Sequence, residues 1–191
     1  MKLLATALTA LVIHSSAFAG ETIAIDKNPK NPIVVEECFG PQEFSIDVFG
    51  QYSVGNGPDH AGPIGEHGFG GGIGLNYFFT RNIGVGVDAA WLYGHENSSL
   101  GGGHTTIHNF SGSLIARFPI ECVAPYVYVG GGAAIDGAQW AAAHAGVGVE
   151  WRVQPQKLGL FADARWTYYG DRFGHGDQNN FSGRLGVRIV F

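Results

Sequence analysis

Three sets of side chains in this sequence have the types and spacings that chemistry needs. Cys38 and Cys122 are its two cysteines, and such a pair can close a disulfide wherever the surroundings are oxidising. Beyond His14 stand His60, His67, His95, His104, His108, His144 and His175. Imidazole is the commonest side-chain metal ligand, and His104-Thr105-Thr106-Ile107-His108 puts two within reach of each other. No cysteine joins them and no spacing matches a zinc signature. Solvated loop histidines are therefore expected, with neither metal nor cofactor assigned. Nine charged residues, Asp47, Asp88, Arg117, Glu150, Arg152, Asp163, Arg165, Arg184 and Arg188, recur within stretches of alternating polarity. Four carboxylates against five guanidiniums compose an ion-pair network, because charges removed from water must be partnered.

The elements that carry these groups follow from composition and periodicity. Of 191 residues 31 are Gly, more than twice the roughly 7% that is usual. Collagen is excluded by the lack of a G-X-Y period, and disorder by an aromatic share of 13%. A net charge of −5 leaves no basic footprint for nucleic acid. Met1-Lys2, the apolar run Leu3 to Ile13 and the small residues of Ala17-Phe18-Ala19 read as a secretory signal peptide over 1–19, cut before Gly20. The run is far short of the ~20 residues that span a bilayer as a helix. Export takes both cysteines out of the cytoplasm. Residues 20–42, interrupted by Pro29, Pro32 and Pro41, read as an irregular lead-in on the periplasmic side.

From 43 to 191 the side chains alternate with a period of two over eight segments. The first sets Phe44, Ile46, Val48 and Tyr52 against Ser45, Asp47, Phe49 and Gln51. The last sets Phe181, Leu185, Val187, Ile189 and Phe191 against Ser182, Arg184, Gly186 and Arg188. In the fifth, Tyr126 and Tyr128 alternate with Val127 and Val129, and the tyrosines are expected outside. All nine charged residues oppose the large apolar ones. A soluble barrel would show the reverse, whereas a polar interior and an apolar exterior suit surrounding lipid. Open sheet edges are not tolerated in hydrocarbon. The expected fold is all-β, an eight-stranded antiparallel up-and-down transmembrane β-barrel. Its connections alternate as well: 80–82, 119–124 and 154–157 are tight, the others mostly longer, like short periplasmic turns and long outer loops.

FFTRNIGVGVDAAW, RFPIECVAPYVYVGGG, LFADARWTYY and the closing GRLGVRIVF resemble the small OmpA/OmpX-type outer-membrane barrels over roughly residues 43–191. The resemblance implies a place in the outer membrane among its lipids. Phe191, with Ile189, Val187 and Leu185 behind it, is similar to the terminal signal read by the barrel-assembly machinery during biogenesis. The peptidoglycan-binding domain that follows the barrel in full OmpA proteins is not expected. Arg172-Phe173-Gly174-His175-Gly176-Asp177 loosely resembles the strand-end motif of PagL-type lipid A deacylases. Gly176 stands where their serine nucleophile would be, so no catalytic residue and no enzyme activity are expected.

Eight strands enclose an interior just wide enough for side chains. Inward glycines at 70, 72, 74, 84, 86, 146 and 148 are expected to make room for bulky residues from the opposite wall, such as Phe49, Phe78 and Phe161. The charged set is expected to plug the lumen, a narrow gated ion path being the alternative. On this topology Cys38 and Cys122 both lie on the periplasmic side, and a Cys38–Cys122 disulfide is expected to tie the lead-in across the mouth. Two free thiols are the alternative. The function expected is structural or adhesive, through outer loops that could meet an extracellular ligand.

Overall fold

The computed structural model describes residues 37–55, 67–95, 104–135, 139–169 and 178–191. Residues 1–19, expected as a signal peptide, and most of the expected lead-in lie outside the described residues. Eight strands follow in chain order: β1 (Glu43–Gly55), β2 (His67–Phe78), β3 (Ile83–His95), β4 (His104–Arg117), β5 (Val123–Ile135), β6 (Gln139–Gln154), β7 (Leu158–Tyr169) and β8 (Gln178–Val190). Each pairs antiparallel with the next, and β1 pairs with β8 to close the barrel. Closure leaves no unpaired edge, the condition a sheet must meet in hydrocarbon.

Alternation decides the faces. Ile73, Leu114, Val129 and Leu185 point outward and are more than half exposed, as a lipid-facing surface requires. Every charged side chain of the described strands points inward. At one end the strands are joined by short turns. Thr80 Oγ1 accepts from the backbone N–H groups of Asn82 and Ile83 at 3.2 and 3.0 Å. Glu121 and Gln156 take left-handed φ values of 53° and 54° in the other two.

Room inside is made by a cross-strand rule. Phe49 is register partner of Gly72, Phe78 of Gly84, Tyr128 of Gly146, Tyr126 of Gly148 and Phe161 of Gly186. A Cβ on Gly72 would lie 2.6 Å from Phe49 Cζ, and one on Gly146 would lie 2.3 Å from Tyr128 Cζ. Gly72, Gly84, Gly146 and Gly148 thus receive rings from the neighbouring strand rather than from the opposite wall, which corrects the expectation above for those four, while Gly74 and Gly86 face Asp47 and Asn76.

The same rule corrects the fifth strand. Tyr126 and Tyr128 point into the lumen, each 5% exposed, while Val127 and Val129 face outward. Each phenol donates to Asp163, from Tyr126 at 2.8 Å and from Tyr128 at 3.0 Å. A buried carboxylate gains from such donors, and valine offers none.

Candidate functional site

The lumen is layered along the barrel. At the end of the long connections, Leu92, Ile107, Ala134 and Tyr169 form a buried apolar cluster. Below it lie neutral polar groups, among them Gln51, Asn109, Ser111, His144, Thr167, Asn180 and Ser182, around a cavity of about 20 Å³. A second cavity of about 30 Å³ lies deeper, against Asp47, Asp88, Arg165, Arg184 and Arg188. One water needs roughly 10–15 Å³ of such volume, so each has room for a water or two.

The charges form two connected groups. In the first, Arg165 grips Asp88 through Nη1 and Nη2 at 3.1 and 2.8 Å. Arg184 grips Asp163 through Nε and Nη2, both at 2.8 Å, and its Nη1 lies 3.7 Å from Asp88. The second is a chain toward the short-turn end. Asp47 is held by Arg188 at 2.7 Å through both Nε and Nη2. Arg188 reaches Glu150 at 2.5 Å, Glu150 meets Arg152 at 2.5 Å, and Arg152 meets Glu43 at 2.5 Å. Glu43 also pairs with Arg117 at 2.7 Å.

Glu43 is absent from the nine charges read from the sequence, yet it joins Arg117 to Arg152 and is 3% exposed. Among the described strand residues five carboxylates therefore face five arginines, and their formal charges cancel. Two signals pointed to it: the odd-numbered parity of Ser45 and Asp47 extends back to position 43, and five guanidiniums lacked a fifth acid.

The short-turn mouth is capped from outside the strands. Cys38 and Cys122 form a disulfide, separated by 84 residues, that pins the lead-in to the β4–β5 turn. It brings Phe39 into the mouth, fully buried against Cys38, Cys122 and Ala124. The guanidinium carbons of Arg117 and Arg152 lie 5.0 and 4.8 Å from the Phe39 ring centroid. Arg117 also lies 3.6 Å from the centroid of Phe78 and donates to Gly40 O at 3.1 Å. Stacked arginines of this kind gain cation–π attraction where water is excluded. Lead-in residues 37–42 are thus part of the barrel end.

His144 departs from the loop reading, while His67 and His104 are exposed at strand ends beside the long connections. His144 sits inside the barrel, 3% exposed, with Nε2 2.8 Å from Ser113 Oγ. His67 begins β2, while His104 and His108 belong to β4. Four residues apart on one strand is roughly 14 Å, so His104 and His108 are not within reach of a shared metal. Instead His104 stacks on Tyr93 with ring centroids 5.1 Å apart, and His67 on Tyr52 at 6.4 Å. Among the described residues no three His, Cys, Asp or Glu side chains gather to hold a metal. His60 and the 172–177 segment, with His175, lie outside the described residues.

A closed antiparallel barrel of eight strands, apolar outside and charged within, belongs to the fold class of the small outer-membrane barrels. Solved structures bear this out. Neisserial surface protein A superposes with a TM-score of 0.60 at 17% identity, over 78% of this chain and 97% of that one. Ail, the attachment invasion locus protein of Yersinia pestis, gives 0.55 at 17% identity over 79% and 99%; it is also known in complex with the heparin analogue sucrose octasulfate. The outer-membrane enzyme PagL gives 0.54 at 15% identity over 75% and 98%. No protein-family model and no curated protein sequence matches the chain.

Proposed function

We propose that this protein is a non-conducting outer-membrane barrel that serves as a structural or adhesive component through its long connections. The observation that carries the reading is the neutral lumen, in which five arginines and five carboxylates are all paired. A buried pair broken by loss of one partner costs about 3–5 kcal/mol. Opening an ion path would break several pairs together, which disfavours the gated pore. The Phe39 cap and the Leu92–Ile107 cluster add an obstacle at each end.

What remains for interaction is the set of longer connections. Residues 56–66, 96–103 and 170–177 carry Asp59, Glu66, Glu96, Asp171 and Asp177 against Arg172 alone, and the three-residue connection 136–138 adds Asp136. Ail binds a polyanion analogue; an acidic set of this kind favours a basic protein surface instead. The lipid-modifying reading fits less well, because Gly176 stands where a nucleophile is required. Phe191, Ile189, Val187 and Leu185 line the outer face of the barrel's last strand and its end, where the assembly machinery could read them.

Single-channel recording of the purified protein in planar bilayers tests the reading. Silence at all potentials is expected, and reproducible conductance steps would overturn it.

A further inference from the structure

One open depression lies on the outside of the barrel. It is a groove of about 410 Å³ lined by the outward side chains Ile73, Leu75, Val87, Ala89 and Phe110, and by Gly112. That volume is within the roughly 300–1,000 Å³ of ordinary ligand pockets. Register explains its shape. Ala89 lies between Ile73 of β2 and Phe110 of β4, while Val87 lies between Leu75 and Gly112. Small residues at 89 and 112 make the floor, and the larger ones make the walls.

We propose that this groove is a lipid site that holds one acyl chain of an outer-leaflet membrane lipid. Three observations favour that occupant. The lining is apolar on a face that carries no charged side chain among the described strand residues, so it meets hydrocarbon rather than water. Trp91 and His108, cross-strand partners, lie on the long-connection side of the groove. His108 is four residues above Gly112, or roughly 10 Å along the membrane normal for a strand tilted by about 40°. This places the floor near mid-depth in a hydrocarbon core about 30 Å thick, with an amphipathic Trp–His pair toward the headgroups. A chain descending from the outer leaflet passes that pair and ends in the groove. The attraction is packing rather than the hydrophobic effect, because neighbouring lipid is equally apolar.

The glycine provides its own test. A Cβ on Gly112 would meet nothing nearer than Gly86 O at 3.9 Å, so Gly112→Leu fills the groove without disturbing the strands. Ala89→Leu fills it from β3. Gly183, outward on β8 with nothing within 4 Å of a built Cβ, supplies the control Gly183→Leu. Native mass spectrometry of the full chain, released from micelles containing palmitoyl-oleoyl phosphatidylethanolamine, counts retained lipid. Unheated electrophoresis confirms that each variant is folded. One lipid should be retained by the unaltered protein and by Gly183→Leu. Either groove variant should retain it about tenfold more weakly, equivalent to roughly ten lost carbon contacts. Retention unchanged in the folded groove variants, equal loss in the control, or no retained lipid at all would overturn the proposal. So would a dimer of the unaltered protein that the groove variants abolish, since a second copy would then be the occupant.

Discussion

Tyr126 of β5 stands directly across the ladder from Gly148 of β6, and a Cβ built on that glycine would lie 2.5 Å from Tyr126 Cζ. The same Cβ would lie 2.6 Å from Asp163 Cβ, whose carboxylate accepts the Tyr126 hydroxyl. Ring, glycine and carboxylate are one packing unit. Gly148→Ala should therefore destabilise the barrel by about 1–3 kcal/mol through overpacking. Gly112→Ala, with open space around it, should stay within about 0.5 kcal/mol. Urea unfolding in vesicles compares the two, and similar midpoints would remove the distinction.

Glu43 provides a test of the neutral lumen. Glu43→Ala leaves Arg117 with two backbone acceptors, Gly40 O and Arg81 O, and no carboxylate of its own. A loss of about 3–5 kcal/mol is expected, the cost of an uncompensated buried charge. If Glu43→Ala unfolds at the same urea concentration as the parent, the chain of pairs contributes little.

The orientation of β5 can be read by charge insertion. Val129→Arg puts a cation on the lipid face and should cost about 2–4 kcal/mol near mid-depth. Tyr126→Phe removes only a donor to Asp163, which keeps Tyr128 and Arg184; about 1.5–3 kcal/mol is expected for a hydrogen bond to a charged group. A well-tolerated Val129→Arg would mean that the valines face the lumen.

The cap should be covalently closed. Intact mass after alkylation without reduction should show no modified thiol, whereas two alkylated cysteines would contradict the bond. Reduction should lower stability by about 2–5 kcal/mol, as when a native disulfide is lost, and should expose Phe39.

The barrel was legible because a period of two with charges on one parity is a property of adjacent residues. Arg184 and Arg188 on β8 announce the inward face by themselves. Tyr126 and Tyr128 were not legible in that way, since tyrosine and valine both suit a lipid face. What decides between them is Asp163 on β7 and the glycines of β6, which are distant in sequence. Phe39 was hidden for a related reason: its irregular segment has no period, and only the bond to Cys122 places it under Arg117 and Arg152. The histidines at 104 and 108 looked close because a loop was assumed between β3 and β4, and an extended strand separates them.

The paired lumen also bears on how such a chain changes over generations. Asp47 and Arg188 cannot be exchanged one at a time without passing through a buried unpartnered charge, so these positions should drift as couples. Away from the groove the lipid face asks only that Val129, Val147 or Leu185 stay apolar, and almost any aliphatic will serve. Sequences built under those two rules can differ widely while the barrel persists; Neisserial surface protein A has this fold at 17% identity.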